Sequence, residues 1–222
     1  MTTNSIDAAP RRARATGLSR ERIVGETIAW LRAHPQENLT IARAAAAVGA
    51  TTMAVYRHFR DGADLAESIV DRVLEGLSDE IPRDGDWRSQ VRAWMDAIYG
   101  RLVETPQTVE LLTTVNGLST AWIRASESLR GCLAAGGLKG RDLTDTTFWI
   151  AMTVVGSARH MLAAPIAKHV DDTVAAIRRL DPEGVTELSG LIGSVPGIYE
   201  RAREIMLERT LASVEALMAK RA

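Results

Sequence analysis

The chain has 222 residues, 46% of them hydrophobic and 25% charged, and carries a net charge of −1. That balance fits a soluble globular protein rather than a disordered or membrane one. No apolar run reaches the roughly 18–20 residues of a membrane span, residues 1–10 lack the apolar stretch of a secretory signal, and the lone Cys132 leaves neither an intrachain disulfide nor a cysteine zinc cluster.

A reducing cytoplasm is therefore the expected location. Charge is spread unevenly. Residues 1–60 hold nine arginines against Asp7, Glu21, Glu26 and Glu37, a net of +5, and residues 61–222 carry −6. A basic head on an acidic body is the asymmetry expected when one end meets phosphates; a chance excess on a solvated tail would look the same.

Residues 1–18 read as a flexible arm bearing Arg11, Arg12 and Arg14, either a solvated tail or a minor-groove reader. Ser19 is a suitable cap for a first helix carrying Ile23, Thr27, Ile28, Trp30 and Leu31, which ends by His34-Pro35 because proline disfavours helix in the residue before it. Thr40 caps a short second helix whose Ile41, Ala44, Ala45 and Val48 fall on one face. Gly49 comes next, where a positive φ is wanted. Thr51 caps a third helix that turns Val55 and Phe59 inward and leaves Thr52, Met53, Tyr56 and Arg57 outward. Asp61-Gly62 is read as a break, and a long helix is predicted from about Asp64, with Leu65, Ile69, Val73 and Leu77 as its buried stripe. Further helices are predicted over about 86–104, 106–115, 118–136, 142–164, 168–180, 184–193 and 197–221. No segment alternates in the way a strand requires, so the expected class is all-α.

Two short helices around a glycine turn, the second displaying polar side chains, match a helix-turn-helix, whose second helix lies in a major groove and presents side chains to base edges. Leu39-Thr40-Ile41, Ala45, Val48-Gly49-Ala50, Val55-Tyr56-Arg57-His58-Phe59 and Leu65 together resemble the head of the tetracycline-repressor (TetR/AcrR) family of transcriptional regulators over about residues 19–75. The Tyr-x-His-Phe close is the most specific element. The resemblance implies an arm over 1–18, a DNA-binding domain over 19–64 and a helical ligand-binding and dimerisation domain over 65–222. It also implies a non-enzymatic regulator, in most cases a repressor released from a pseudo-palindromic operator when a small molecule binds.

Carried over by position, Thr40 and Thr51 cap helices and offer contacts to phosphates. Thr52, Met53 and Arg57 sit nearest the groove, Arg57 taking a guanine bidentately or holding a phosphate. Tyr56 and His58 fix register on the backbone, Arg43 reaches the groove edge, and Arg60 helps anchor. Gly62 departs from the family, which often has a phosphate-contacting lysine there. In the body, Trp94, Met95, Tyr99, Thr113, Asn116, Trp122, Phe148, Trp149, Met152 and His160 supply the apolar walls and few polar groups of a small-molecule pocket, or are plain core. One recognition helix reads too few bases for specificity, so a homodimer is expected. Its interface is expected on the helix with Gly156, Ala158 and Ala163 and on the C-terminal helix, unless these pack inside the monomer.

An enzyme reading finds little support. No two of His34, His58, His160 and His169 stand at i, i+4, and no phosphate loop or nucleophile elbow is present. His160 and His169 lie near Asp171 and Asp172, a weak metal site or a surface polar cluster. No metal or cofactor is expected, and the partners are operator DNA, an effector and a second copy. A helical adaptor that binds only protein remains the alternative without DNA.

Overall fold

The computed structural model describes residues 17–82, 84–114 and 119–220, with the side chains of Thr113 and Thr114 outside that description. Arg11, Arg12, Arg14 and Asn116 therefore lie outside the described residues. Twelve α-helices and two short 3-10 turns account for the regular structure, with no strand among the described residues.

The head is α1 (Arg20–Ala33), α2 (Ile41–Ala47) and α3 (Thr52–Tyr56), followed by α4 (Gly62–Leu74). Each begins on a side-chain cap. Ser19, Thr40, Thr51 and Asp61 accept from the backbone N–H of Arg22, Arg43, Ala54 and Asp64 at 3.2, 3.1, 3.2 and 2.8 Å. Such caps satisfy donors that the first helical turn leaves orphaned. Asp61-Gly62 lies in the break between α3 and α4 and also opens the second of them: Asp61 caps α4, whose first residue is Gly62, two residues before the expected start. The helix also stops sooner than its apolar stripe suggests. Gly76 sits at φ 73°, and Leu77 belongs to a separate 3-10 turn, Leu77–Asp79.

The body consists of α5 (Trp87–Glu104), α6 (Gln107–Thr114), α7 (Thr120–Ala135), α8 (Gly140–Leu162), α9 (Ile166–Leu180), α10 (Glu187–Gly190), α11 (Val195–Glu200) and α12 (Ala202–Ala219). The segment expected as one helix over 184–193 yields only α10 and a 3-10 turn, Ile192–Ser194. The helix expected over 197–221 is two, α11 and α12, parted at Arg201. Pro196 falls in the first turn of α11, where its missing N–H costs nothing.

Two apolar cores result. Ile23, Ile28, Leu31, Ala45, Val55, Phe59, Leu65, Ile69 and Val73 form the core of the head. Val70 and Leu74 join Trp94, Ile98, Leu133, Ile150, Val154 and Leu211 in the core of the body. Helix α4 serves both, through neighbouring faces. Helices α5, α7, α8 and α12 surround the larger core, while α9 packs on α10 and α11 outside it. Along the α5–α12 seam Arg88 pairs with Glu215 at 2.8 Å, Arg92 with Glu204 at 2.7 Å and Arg203 with Asp96 at 2.5 Å. Exposed pairs of this kind are individually weak, but three in series fix the register of α12. No single helix among the described residues is long and apolar enough to cross a membrane.

Candidate nucleic-acid interface

The turn between α2 and α3 is closed by backbone. Gly49 lies at φ 66°, its N–H donates to Ala46 O at 3.1 Å, and Ala50 N–H donates to Ala45 O at 2.9 Å. Glycine takes this left-handed conformation without the Cβ penalty of other residues. Buried Ala44 and Ala45 let α2 approach the core closely. Helix α3 is then pinned from inside by Val55 and Phe59, both essentially inaccessible to solvent.

Apart from half-buried Ala54, the rest of α3 faces outward. Met53 is 70% exposed and Tyr56 48%. Thr51, Thr52 and Arg57 are also exposed. A methionine and a tyrosine held in water on a short, capped helix are an unusual use of apolar surface, and contact with a partner explains them better than stability does. Thr40 and Thr51 use their hydroxyl oxygens to accept cap bonds, which leaves each hydroxyl proton free to donate to a phosphate.

One residue ties α3 to its neighbours. Arg20, in the first turn of α1, donates through Nη1 to His58 O at 2.7 Å, and through Nη2 to Asp64 Oδ1 at 2.5 Å and Ser68 Oγ at 2.6 Å. Its guanidinium lies 4.4 Å from the Phe59 ring centre. Asp64 also accepts from the backbone N–H of Arg60 at 2.9 Å. The bond from Arg20 first, then that from Arg60, holds the Asp64 carboxyl down to about 2, against the cost of burying it. Sequence alone does not single out Arg20, because nothing in a first-turn arginine announces partners some forty residues on.

The remaining expected contacts divide. Arg60 leans on Asp64 at 3.5 Å, yet its side chain is 83% exposed. His58 is half-buried, with its carbonyl on Arg20. Arg43 does not reach outward: its guanidinium turns back onto Glu37 and the carbonyl of Asn38 at 2.7 Å, 5.8 Å from the Trp30 ring. A nearby carboxylate, carbonyl and indole face hold it more strongly than open solvent does.

The body residues expected around a ligand do not converge. Trp94, Met95 and Trp122 are core, and Trp94 Nε1 donates to Ala125 O at 2.7 Å. Tyr99 is half-buried beside Arg203, and burial raises its phenol above the usual range. Phe148, Trp149 and Met152 face solvent on α8, at 67%, 42% and 42% exposure. His160, also exposed, lies beside His169 and Tyr199, with ring centres 4.9 and 6.1 Å away. Thr113 sits on α6, away from these groups in sequence. Helical periodicity marks which face is apolar but not what covers it, so core, outer face and pocket walls read alike. A cleft of about 550 Å³ opens between head and body, lined by α1, α4, the 3-10 turn after α4 and the start of α7.

No family model matches the chain, and no curated protein matches it. Solved structures do. ActR from Streptomyces coelicolor, a TetR family protein in complex with actinorhodin, matches with a TM-score of 0.76 at 18% identity over 93% of this chain and 100% of that one. A transcriptional regulator described as a TetR from Streptomyces coelicolor gives 0.74 at 21% over 91% and 100%. BioQ with its double-stranded DNA operator gives 0.59 at 22% over 66% and 88%. The chain has the fold of TetR-family transcriptional regulators, over nearly its whole length.

Proposed function

We propose that two copies of this chain form a DNA-binding transcriptional regulator whose operator affinity is set by a small molecule. One observation carries the reading. Helix α3 is pinned from inside by Val55 and Phe59 and turns Met53, Tyr56 and Arg57 to solvent, which is what a helix entering a major groove requires. Thr52, Met53 and Arg57 read base edges, while Thr40, Thr51, Tyr56, His58 and Arg60 hold the backbone. Arg43 joins them only by leaving Glu37. The fold shared with BioQ, whose structure contains its DNA operator, and with ActR, whose structure contains actinorhodin, supports both halves of the proposal.

Two heads are needed, spaced to meet successive grooves about 34–36 Å apart. Helix α8, which exposes Phe148, Trp149, Met152 and Gly156, packs against α12, which exposes Ile205, Ala212, Ser213 and Ala216. Joined to the same pair from a second copy, these two helices make a four-helix interface. Large apolar side chains on α8 and small ones on α12 suit close interdigitation. Ala158 takes no part, being buried within the monomer. The effector works by population shift, favouring a separation of the heads that the operator does not fit. In this reading the regulator is a repressor, released on binding.

Fluorescence anisotropy on DNA from the adjoining intergenic region tests the reading. Arg57→Ala is expected to cost about 1–3 kcal/mol of operator affinity, and log affinity should fall linearly with log salt. Full affinity in both Arg57→Ala and Tyr56→Ala would refute the assigned recognition helix.

A further inference from the structure

We propose that the cleft between head and body is the effector site and that it takes an amphipathic organic cation. The proposal rests on the regulator reading only for what the occupant does to DNA. The cleft encloses about 550 Å³, within the range of small-molecule pockets. Its floor is apolar: Val24 of α1, Leu74 of α4, Leu77 of the 3-10 turn and Ala125 of α7 line it and are otherwise buried.

Charge decides the class of ligand. Three arginines and four carboxylates line the cleft. Arg20 is neutralised by Asp64 at 2.5 Å, and Arg72 pairs with Glu75 at 2.6 Å. That leaves Arg124 facing Glu21, Asp71 and Asp79, and the lining as a whole carries an excess of one negative charge. Asp71 is half-buried, with Oδ1 accepting from Ala121 N–H at 3.0 Å. A cleft with a net negative lining over low-dielectric walls concentrates cations. The apolar floor then selects those with an apolar body.

The same cavity supplies an output. Arg20 lines it and also donates to His58 O, just past the recognition helix. A cation in the cleft repels that guanidinium and is bound more tightly when Arg20 has let go. By linkage, the occupied protein holds α3 less firmly and binds operator less well.

Tetraphenylphosphonium and tetraphenylborate, equal in shape and opposite in charge, serve as probes on the full-length protein, with binding read by equilibrium dialysis and operator affinity by anisotropy. The cation should bind at least about tenfold more tightly than the anion. Asp71→Asn keeps the acceptor for Ala121 N–H and removes the charge, and should weaken cation binding roughly fivefold to tenfold. Ala121→Phe, filling the cleft, should abolish it. Saturating cation should lower the operator affinity of the unaltered protein and leave that of Ala121→Phe unchanged. Equal binding of the two probes, or cation binding indifferent to Asp71→Asn, overturns the proposal, and these two outcomes decide it should Ala121→Phe not fold. Selective cation binding with no change in operator affinity overturns the link through Arg20. Selective cation binding by a protein that binds no DNA upholds the cleft and removes the regulator reading instead.

Discussion

Replacing Asp64 by asparagine isolates the electrostatic part of the clamp between α1, α3 and α4. The Asp64 side chain is 10% exposed and receives Arg20 and the Arg60 N–H, which bring its carboxyl from 3.8 down to about 2. A group depressed on folding contributes stability above its unfolded pKa and loses it as pH falls through the folded one. At about 1.4 kcal/mol per unit, the charge is worth about 2 kcal/mol above pH 5, about half of that at pH 3 and almost nothing below pH 2. Arg20 is 41% exposed, so solvent screening makes this an upper figure. Urea unfolding of wild type and Asp64→Asn, followed by circular dichroism between pH 7 and pH 3, measures it. The variant should be less stable by about 1–2 kcal/mol at neutral pH, with the gap closing on acidification. A gap that stays constant with pH would show that Asp64 acts by shape and not by charge. A gap of zero at pH 7 would show that Arg20 clamps the recognition helix without it.

Gly49→Ala meets no atom within 4 Å, yet the residue sits at φ 66°, so its cost is purely backbone, about 1–2 kcal/mol in urea unfolding. Gln107 Nε2 faces the carbonyls of Leu31, His34 and Glu37 at 3.3, 2.9 and 3.0 Å. Leu31 O and His34 O also accept the backbone N–H of His34 and Glu37 at 3.1 and 3.0 Å, so Gln107→Met should remove only the added side-chain bonds and destabilise the chain by about 1 kcal/mol, with faster amide exchange at the end of α1. Trp149→Glu combined with Met152→Glu places two charges on the exposed face of α8. Sedimentation should then report a monomer, with operator binding lost while thermal stability of the fold is retained.

Legibility tracks the range of the interactions. Ser19, Thr40, Thr51 and Gly49 act within three or four residues of themselves, and the sequence around each states its role, so the helix-turn-helix is readable down to its caps. Asp61-Gly62 reads as a break, which it is, but not as the start of α4 as well, because a cap and a break use the same residues. Trp94 and Trp149 show the limit in the body. Both are indoles on an apolar helix stripe, one donating to Ala125 O in the core and the other facing solvent; no local signal separates them. The cleft is invisible in the sequence for the same reason, since Val24 and Ala125 meet only after folding.

How the two halves communicate turns on α4. Its Leu65, Ile69 and Val73 belong to the head core, and its Val70 and Leu74 to the body core. Close-packed cores resist small continuous displacements and tolerate discrete ones, so α4 cannot tilt within either core at low cost. Movement is cheapest where packing is already absent. The cleft is such a place, bounded by α1 on one side and α7 on the other with α4 between them, and Arg20 crosses from its wall to the end of α3. A ligand there has only to change the state of one side chain, whereas a ligand among Trp94, Met95 and Trp122 would first have to open a core in which none of the three is more than 5% exposed.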